Sequence, residues 1–411
     1  MRGWMMLSFD QALSIVKEKL AAADLRPEME TVPLAEADGR VLAADVVADR
    51  DYPPFHRSIR DGFAVRARDV AAPPVELHLR GEIRAGGCFT GELGRGECVS
   101  IMTGAPLPSG ADAVVMLEFS ESQGDKVRIH RGVDAGENVV AQGIEARAGS
   151  CVLPWHRRLG AADLALLAAV GKSQVSVFVR PRATILSTGD EVVPVDQAPE
   201  WFQIRNSNSV MLSALVARAG GIPSCLPIAP DRPNALLGVL QEGLEADLLL
   251  ITGGVSAGKY DFVESVFAEL GAEFYFTSVA LRPGKPLVFG RVAGKFFFGL
   301  PGNPVSALVT FALFARPALA VLGGAGFEGP SFLRARLAEP LQNRTPLTSF
   351  LPARLERSGG ELVVRRVAWQ GSGDMVGVAA ANAFVVLHPE QTSLAAGEWA
   401  DVMPKEQSPI G

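Results

Sequence analysis

The chain has 411 residues, enough for about two to four domains of ordinary size. With 48% hydrophobic and 20% charged residues it can build ample core, which excludes a disordered or fibrous chain. A formal charge of −6 and a pI near 5.6 leave no basic footprint for nucleic acid or an anionic membrane surface, so any anionic ligand must be held by a local site.

The first segment, MRGWMMLSFD, has one Arg and too short an apolar run for a signal-peptide core, and a cytoplasmic protein is expected. Ser8, with Gln11 three residues on, makes a capping-box start to a helix predicted to reach about Ala23. Residues 45 to 149 change character. Short apolar runs such as VELHLR, CVSIM and AVVMLEF alternate with Gly, Pro and Asp, as in a β-rich module inserted into a helical region. That region, residues 7–44, resumes at 150–178 with GAADLALLAAVG, a helical pattern closed by Gly171.

From 179 to 328 the pattern is α/β. ATILSTG, LPIAPD and DLLLITGG read as strands or strand ends, while NSVMLSALVARAGG, PNALLGVLQEGLEA and DFVESVFAELGA read as helices. PLVFGRVAGKFFFGL reads as a β-hairpin. Strands alternating with helices predict a largely parallel sheet covered on both faces. PVSALVTFALFARPALAVLGG (304–324) is interrupted by Arg316-Pro317, so a buried helix is expected there and no membrane span. Beyond Gly329 the helical signal disappears, and FLRARLAEPL, FLPARLER, ELVVRRVAWQ, AFVVLHP and EWADVMP predict a small β-barrel over 329–411. Cys88, Cys98, Cys151 and Cys225 form no C-x-x-C pair, and reduced, buried thiols are expected.

In a parallel α/β sheet, ligands collect beyond the carboxyl ends of the strands. Four segments should meet there: STGDEVVP, IAPDRP, ITGGVSAGKYD and LPGNPVSA. The last has Asn303 as a helix N-cap, Pro304 at the first helical position and Gly302 allowing close approach. A helix start suits an anion. Gly253, Gly254 and Ser256 form a second glycine-rich turn, with Arg282 and Lys285 of LRPGKP near in sequence. Asp190, Glu191, Asp231 and Asp261 fall at strand ends or loop tips. Carboxylates beside an anion cradle repel the ligand unless a hard cation such as Mg²⁺ bridges them. Taken singly, Asp261 reads equally well as a helix cap, and Asp231 as a turn residue before Pro233. In the inserted module, Asp61 sits in a turn between Arg60 and Gly62, where a structural role is the ordinary one, and Thr103-Gly104 makes another tight turn with a hydroxyl.

Together SIRDGFAV, MTGAPLPSGADAVV, STGDEVV, TGGVSAGKYD, LRPGKP, LPGNPVSA and QGSGDM, in this order over nearly the whole chain, resemble the molybdopterin molybdenumtransferases of MoeA type, relatives of the gephyrin E domain. The resemblance implies a molybdopterin-binding α/β domain, a helical part with an inserted β module, and a C-terminal β-barrel. It implies a homodimer whose active site lies between the α/β domain of one subunit and the inserted module of the other. The implied substrates are adenylylated molybdopterin and molybdate, with Mg²⁺ as cofactor and molybdenum cofactor and AMP as products.

By the same resemblance Asp61, Thr103 and Glu191 are catalytic, and Asp190, Glu191, Asp231 and Asp261 serve the metal. Gly253, Gly254, Ser256, Arg282, Lys285, Pro301, Gly302, Asn303, Pro304 and Ser372 bind substrate. The sequence departs from the family pattern at Arg60 and Phe63 beside the motif Asp, at Gly143-Ile144-Glu145, at Arg282 and at Pro352, with Arg354 close by. Arg60 is expected to lower the Asp61 pKa. Two other readings share these features: adenylyl transfer to molybdopterin, which belongs to a related domain lacking the module and barrel, and a non-catalytic scaffold, against which Asp61, Glu191 and Asp261 argue.

Overall fold

Ser8 closes the capping box that its sequence predicts. Its hydroxyl accepts the Gln11 N–H at 3.2 Å, the Gln11 side chain accepts the Ser8 N–H at 2.9 Å, and the helix runs Phe9–Ala22. Ala12, Val16 and Leu20 are its buried stripe, and Phe9 meets Phe314 and Phe350 edge-on, with centroids 5.8 and 6.1 Å away. The computed structural model describes residues 6–84, 86–254, 262–343 and 345–405. They divide into two compact units: Val32–Asp38 with Ala44–Val175, and Met1–Thr31 with Gly39–Ala43 and Ser176–Gly411.

The first unit is built on a six-stranded sheet in the spatial order Ala113–Met116, Gly62–Val65, Glu97–Ile101, Val75–Ile83, Lys126–Ile129 and Ser120–Gln123. Alternation serves both faces: Phe63, Val65, Cys98 and Val115 pack in one cluster, Ala64, Val99, Ile101 and Val114 in another. The helix Ala161–Ala169 ends as expected at Gly171, whose φ is +75°. A Cβ on Gly62 would lie 1.9 Å from the Val115 carbonyl oxygen, so only glycine lets these antiparallel strands pair here. Gly62→Ala is therefore expected to cost about 2 kcal/mol or more through overpacking. Thermal unfolding should show a lowered midpoint, and an unchanged midpoint would contradict this close approach.

The second unit carries a six-stranded sheet in the order Ile222–Cys225, Arg182–Ser187, Leu248–Thr252, Lys295–Leu300, Val288–Val292 and Glu273–Phe276. The first four strands are parallel, and the hairpin and edge strand join antiparallel. The continuous apolar runs reflect burial on both faces. Leu248, Leu250, Phe296 and Phe298 enter one core, while Leu249, Ile251 and Phe297 enter the other, where Phe267 stacks on Phe297 at 4.0 Å. One strand differs from expectation. LPIAPD is not itself a strand, because Pro227 and Pro230 lack the N–H that a ladder needs. Only Ala229 bridges to Thr188, and the strand proper is Ile222–Cys225, an edge position that tolerates Pro223.

The apolar stretch forms one helix over Pro304–Leu322, long and apolar enough to cross a membrane, with 67% of it buried in this fold. Its Phe311–Ala315 turn is π-helical, ahead of Pro317, which cannot donate to the ladder. The C-terminal strands close into a five-stranded barrel because Thr348–Ser358 pairs with both Glu361–Arg366 and Ala383–Leu387. A short helix, Met375–Ala380, breaks the all-β expectation. At six residues it is too brief to show periodicity, and Asp374 caps it by accepting the Gly377 N–H at 2.9 Å. Of the thiols only Cys98 is buried, which pushes its pKa up to about 12. Cys88, Cys151 and Cys225 are exposed, contrary to expectation, because they lie in a loop, in a two-stranded pair and on the sheet edge.

Candidate active site

In the first unit two turns interlock. The Ser58 N–H donates to the Ala105 carbonyl at 3.0 Å, and the Gly104 N–H donates back to the Ser58 carbonyl at 2.8 Å. This brings Asp61 against Thr103. One oxygen of Asp61 accepts both the Thr103 backbone N–H, at 2.7 Å, and its hydroxyl, at 2.9 Å. Those bonds, the backbone one first, hold the exposed Asp61 carboxyl below its ordinary value. The lowering thus comes from Thr103 and not from Arg60 as expected. Glu145 pairs with Arg57 at 3.0 Å, a partly exposed ion pair.

In the second unit the loops at the carboxyl edge of the parallel strands enclose a cavity of about 660 Å³. Among the expected residues it is lined by Glu191, Gly253, Gly254, Pro301, Gly302, Asn303 and Pro304. Gly253 has φ +93°, and a Cβ there would fall 2.4 Å from the Thr188 carbonyl oxygen. A Cβ on Gly302 would meet the Gly253 Cα at 3.5 Å, so the two glycine turns sit against one another. Asn303 occupies the cap position, but its side chain makes no capping bond, which corrects the simple N-cap reading.

Three of the expected substrate-binding residues stand apart from this lining. Arg282 lines a separate cavity of about 630 Å³ with Arg366 and Trp369, because Leu281–Arg282 pairs in parallel with Thr348 and Ser349 of the barrel. Lys285 is exposed, and its neighbour Pro286 reaches the lining instead. The Ser372 carbonyl accepts the Val305 N–H at 3.1 Å, so the QGSG turn is tied to the first turn of the PGNP helix, and Gly373 is the residue that lines the cavity. Ser256 and Asp261 lie outside the described residues.

The acidic residues are neighbours of a looser kind. The Asp190 side chain accepts the Asp231 N–H at 3.2 Å. Burial raises the Asp231 pKa first, and the charges of Asp190 and Glu191 raise it further. Among the described residues no group of three or more His, Cys, Asp or Glu side chains is gathered to hold a metal, so Asp190, Glu191 and Asp231 by themselves are not a closed cage. The donors still suit Mg²⁺, which is held by one or two carboxylates plus substrate oxygens and water. A cation would also relieve the repulsion that raises Asp231.

Sequence reading missed Asn206 and Asn208: the predicted helix NSVMLSALVARAGG begins at Asn208, and neither residue is singled out. Asn206 caps Ser207–Arg218, its side-chain oxygen accepting the Ser209 N–H and the Ser187 hydroxyl, both at 3.1 Å. Asn208 Nδ2 donates to Thr252 Oγ1 at 2.7 Å and to the Gly302 carbonyl at 2.8 Å, and the Thr252 hydroxyl donates to the Pro301 carbonyl at 3.2 Å. Asn208 therefore staples the end of strand Leu248–Thr252 to the PGNP turn. The available signal was the polar run Asn206-Ser207-Asn208-Ser209 opening an otherwise mostly apolar helix at the sheet's ligand edge.

Comparison with known proteins adds three consecutive family matches: "MoeA N-terminal region (domain I and II)" over residues 7–171, "Probable molybdopterin binding domain" over 184–321, and "MoeA C-terminal region (domain IV)" over 334–405. A molybdopterin molybdenumtransferase from Nostoc sp. is 36% identical, covering 96% of this chain and 92% of that relative. One from Staphylococcus epidermidis is 33% identical over 92% and 91%. The crystal structure of a molybdopterin biosynthesis MoeA protein from Pyrococcus horikoshii is similar with a TM-score of 0.83 at 29% identity, over 98% of this chain and 100% of that one.

Proposed function

The chain belongs to the MoeA family of molybdopterin molybdenumtransferases, and from that premise we propose that it completes molybdenum cofactor in a Mg²⁺-dependent reaction. In this reading it cleaves the pyrophosphate link of adenylylated molybdopterin and transfers molybdenum from molybdate to the dithiolene, releasing AMP. It works as a cytoplasmic homodimer, with the α/β domain of one subunit and the inserted module of the other serving one site.

The observation that carries this reading is the cavity where the Gly253 and Gly302 turns meet at the ligand edge of the sheet. The PGNP helix start directs its positive end at a phosphate there. Gly253, Gly254, Gly302 and Asn303 allow the close backbone approach that a phosphate and a pterin need. Ser256, Lys285, Arg282 and Ser372 are assigned to the anionic substrates, and Asp61, fixed by Thr103, to orienting the reacting groups with its negative charge. Asp190, Glu191, Asp231 and Asp261 are the residues that would hold Mg²⁺, which supplies charge neutralisation at phosphate oxygens when bound.

The test is AMP release from adenylylated molybdopterin by the purified protein. Release should require molybdate and Mg²⁺ together and should stop when EDTA is added. Release unaffected by EDTA would remove the metal from the reaction, and no release under any condition would overturn the reading.

A further inference from the structure

Two residues of the cavity lining each carry a buried polar atom that has no hydrogen-bond partner. These atoms are the hydroxyl of Thr188, a residue 5% exposed, and Oδ1 of Asn208, a residue 9% exposed. Both residues line the same cavity. Buried polar groups are nearly always paired, and an orphan costs the full desolvation of that group. The Asn208 amide cannot simply be turned over, because its Nδ2 donates to the Gly302 carbonyl, which only accepts. Oδ1 is therefore an acceptor in want of a donor. Thr188 abuts the Thr252–Gly253 turn, its hydroxyl 3.0 Å from where a Gly253 Cβ would stand, and Asn208 bonds Thr252 in that same turn.

We infer that Thr188 and Asn208 read the polar edge of the pterin ring, Asn208 Oδ1 accepting from a ring N–H or amino group and the Thr188 hydroxyl pairing with an adjacent ring heteroatom. A pterin's pyrimidinone edge presents an amino group and a ring N–H as neighbouring donors next to a carbonyl acceptor, which an acceptor together with a two-way hydroxyl complements. This inference rests on the functional reading above, and it makes the pair specificity-determining residues for the substrate's heterocycle.

Thr188→Val is the discriminating variant, since it removes an unbonded hydroxyl and keeps the side-chain shape. A hydroxyl without a partner destabilises the fold, so the unfolding midpoint should stay level or rise. Molybdopterin binding should nonetheless weaken by about 5- to 10-fold, the worth of one hydrogen bond. For Asn208, two variants that both lose the Nδ2 bonds are compared. Asn208→Asp keeps an acceptor and Asn208→Leu does not, so the Asp variant should bind molybdopterin about 5- to 10-fold more tightly. Equal molybdopterin binding by wild type and Thr188→Val, or by the two Asn208 variants, overturns this inference and leaves the functional reading standing. If the wild-type protein fails to bind molybdopterin, both fall together.

Discussion

Asp61→Asn is expected to lower turnover by about 100-fold or more while substrate affinity stays within a small factor. Asn has the same shape, and its side-chain oxygen can still accept both bonds from Thr103, so what the substitution removes is the charge. Since Thr103 depresses the Asp61 pKa, the carboxylate is ionised throughout the neutral range. An activity that needs this charge is present above the folded-state pKa and is lost as pH falls through it, at a pH below the ordinary carboxylate range. Thr103→Val deletes the hydroxyl bond and leaves the backbone N–H, which is the larger cause of the shift. The acid limb of the rate profile should therefore move upward in pH in that variant without reaching the position of an unbonded carboxylate. A wild-type rate in Asp61→Asn, or an acid limb unmoved in Thr103→Val, would contradict the assigned role.

Gly253→Ala is the second variant with a large expected effect. It meets two obstacles at once: a φ of +93°, costing roughly 1–2 kcal/mol for a residue with a Cβ, and a carbonyl oxygen 2.4 Å from that Cβ. The backbone must shift, and Gly302 sits directly against it. Displacing an anion cradle by even about 1 Å costs on the order of 100-fold in rate, so weakened substrate binding and a similar loss of rate are expected. Gly171→Ala supplies the control. It has a φ of +75° with nothing within 4 Å of its Cβ, so it should show the backbone strain as a lower unfolding midpoint and leave substrate affinity unchanged. If both variants bind substrate like wild type, the close approach of the two glycine turns has no part in binding.

Much of this was legible from residue order because the physics is local. Ser8 and Gln11 announce a helix start through a bond three residues long. Runs such as LLLIT and KFFFGL announce strands buried on both faces, and the structure fills both cores with their alternate side chains. What was illegible depends on pairing across the chain. Asp61 and Thr103 were each singled out, yet their shared hydrogen bonds span 42 positions, and no local pattern encodes them. The placement of Arg282 was missed for a similar reason. A two-residue pairing with the barrel draws its side chain into the cavity shared with Arg366, and two residues carry no periodicity. Asn208 was hidden by its surroundings, since a polar residue in a first helical turn ordinarily reads as a cap. Its two bonds go instead to Thr252 and Gly302, which lie far away in sequence and meet it only once the sheet is formed.

The proposed function is the loading of molybdenum onto molybdopterin. The most direct measurement supplies the purified protein with adenylylated molybdopterin, molybdate and Mg²⁺, and reads the product by its ability to activate a molybdenum-free apo-molybdoenzyme. The expected result is active cofactor formed in step with AMP, at a rate that collapses in Asp61→Asn. AMP release that leaves the apoenzyme inactive, or active cofactor formed by Asp61→Asn at the wild-type rate, would contradict this function.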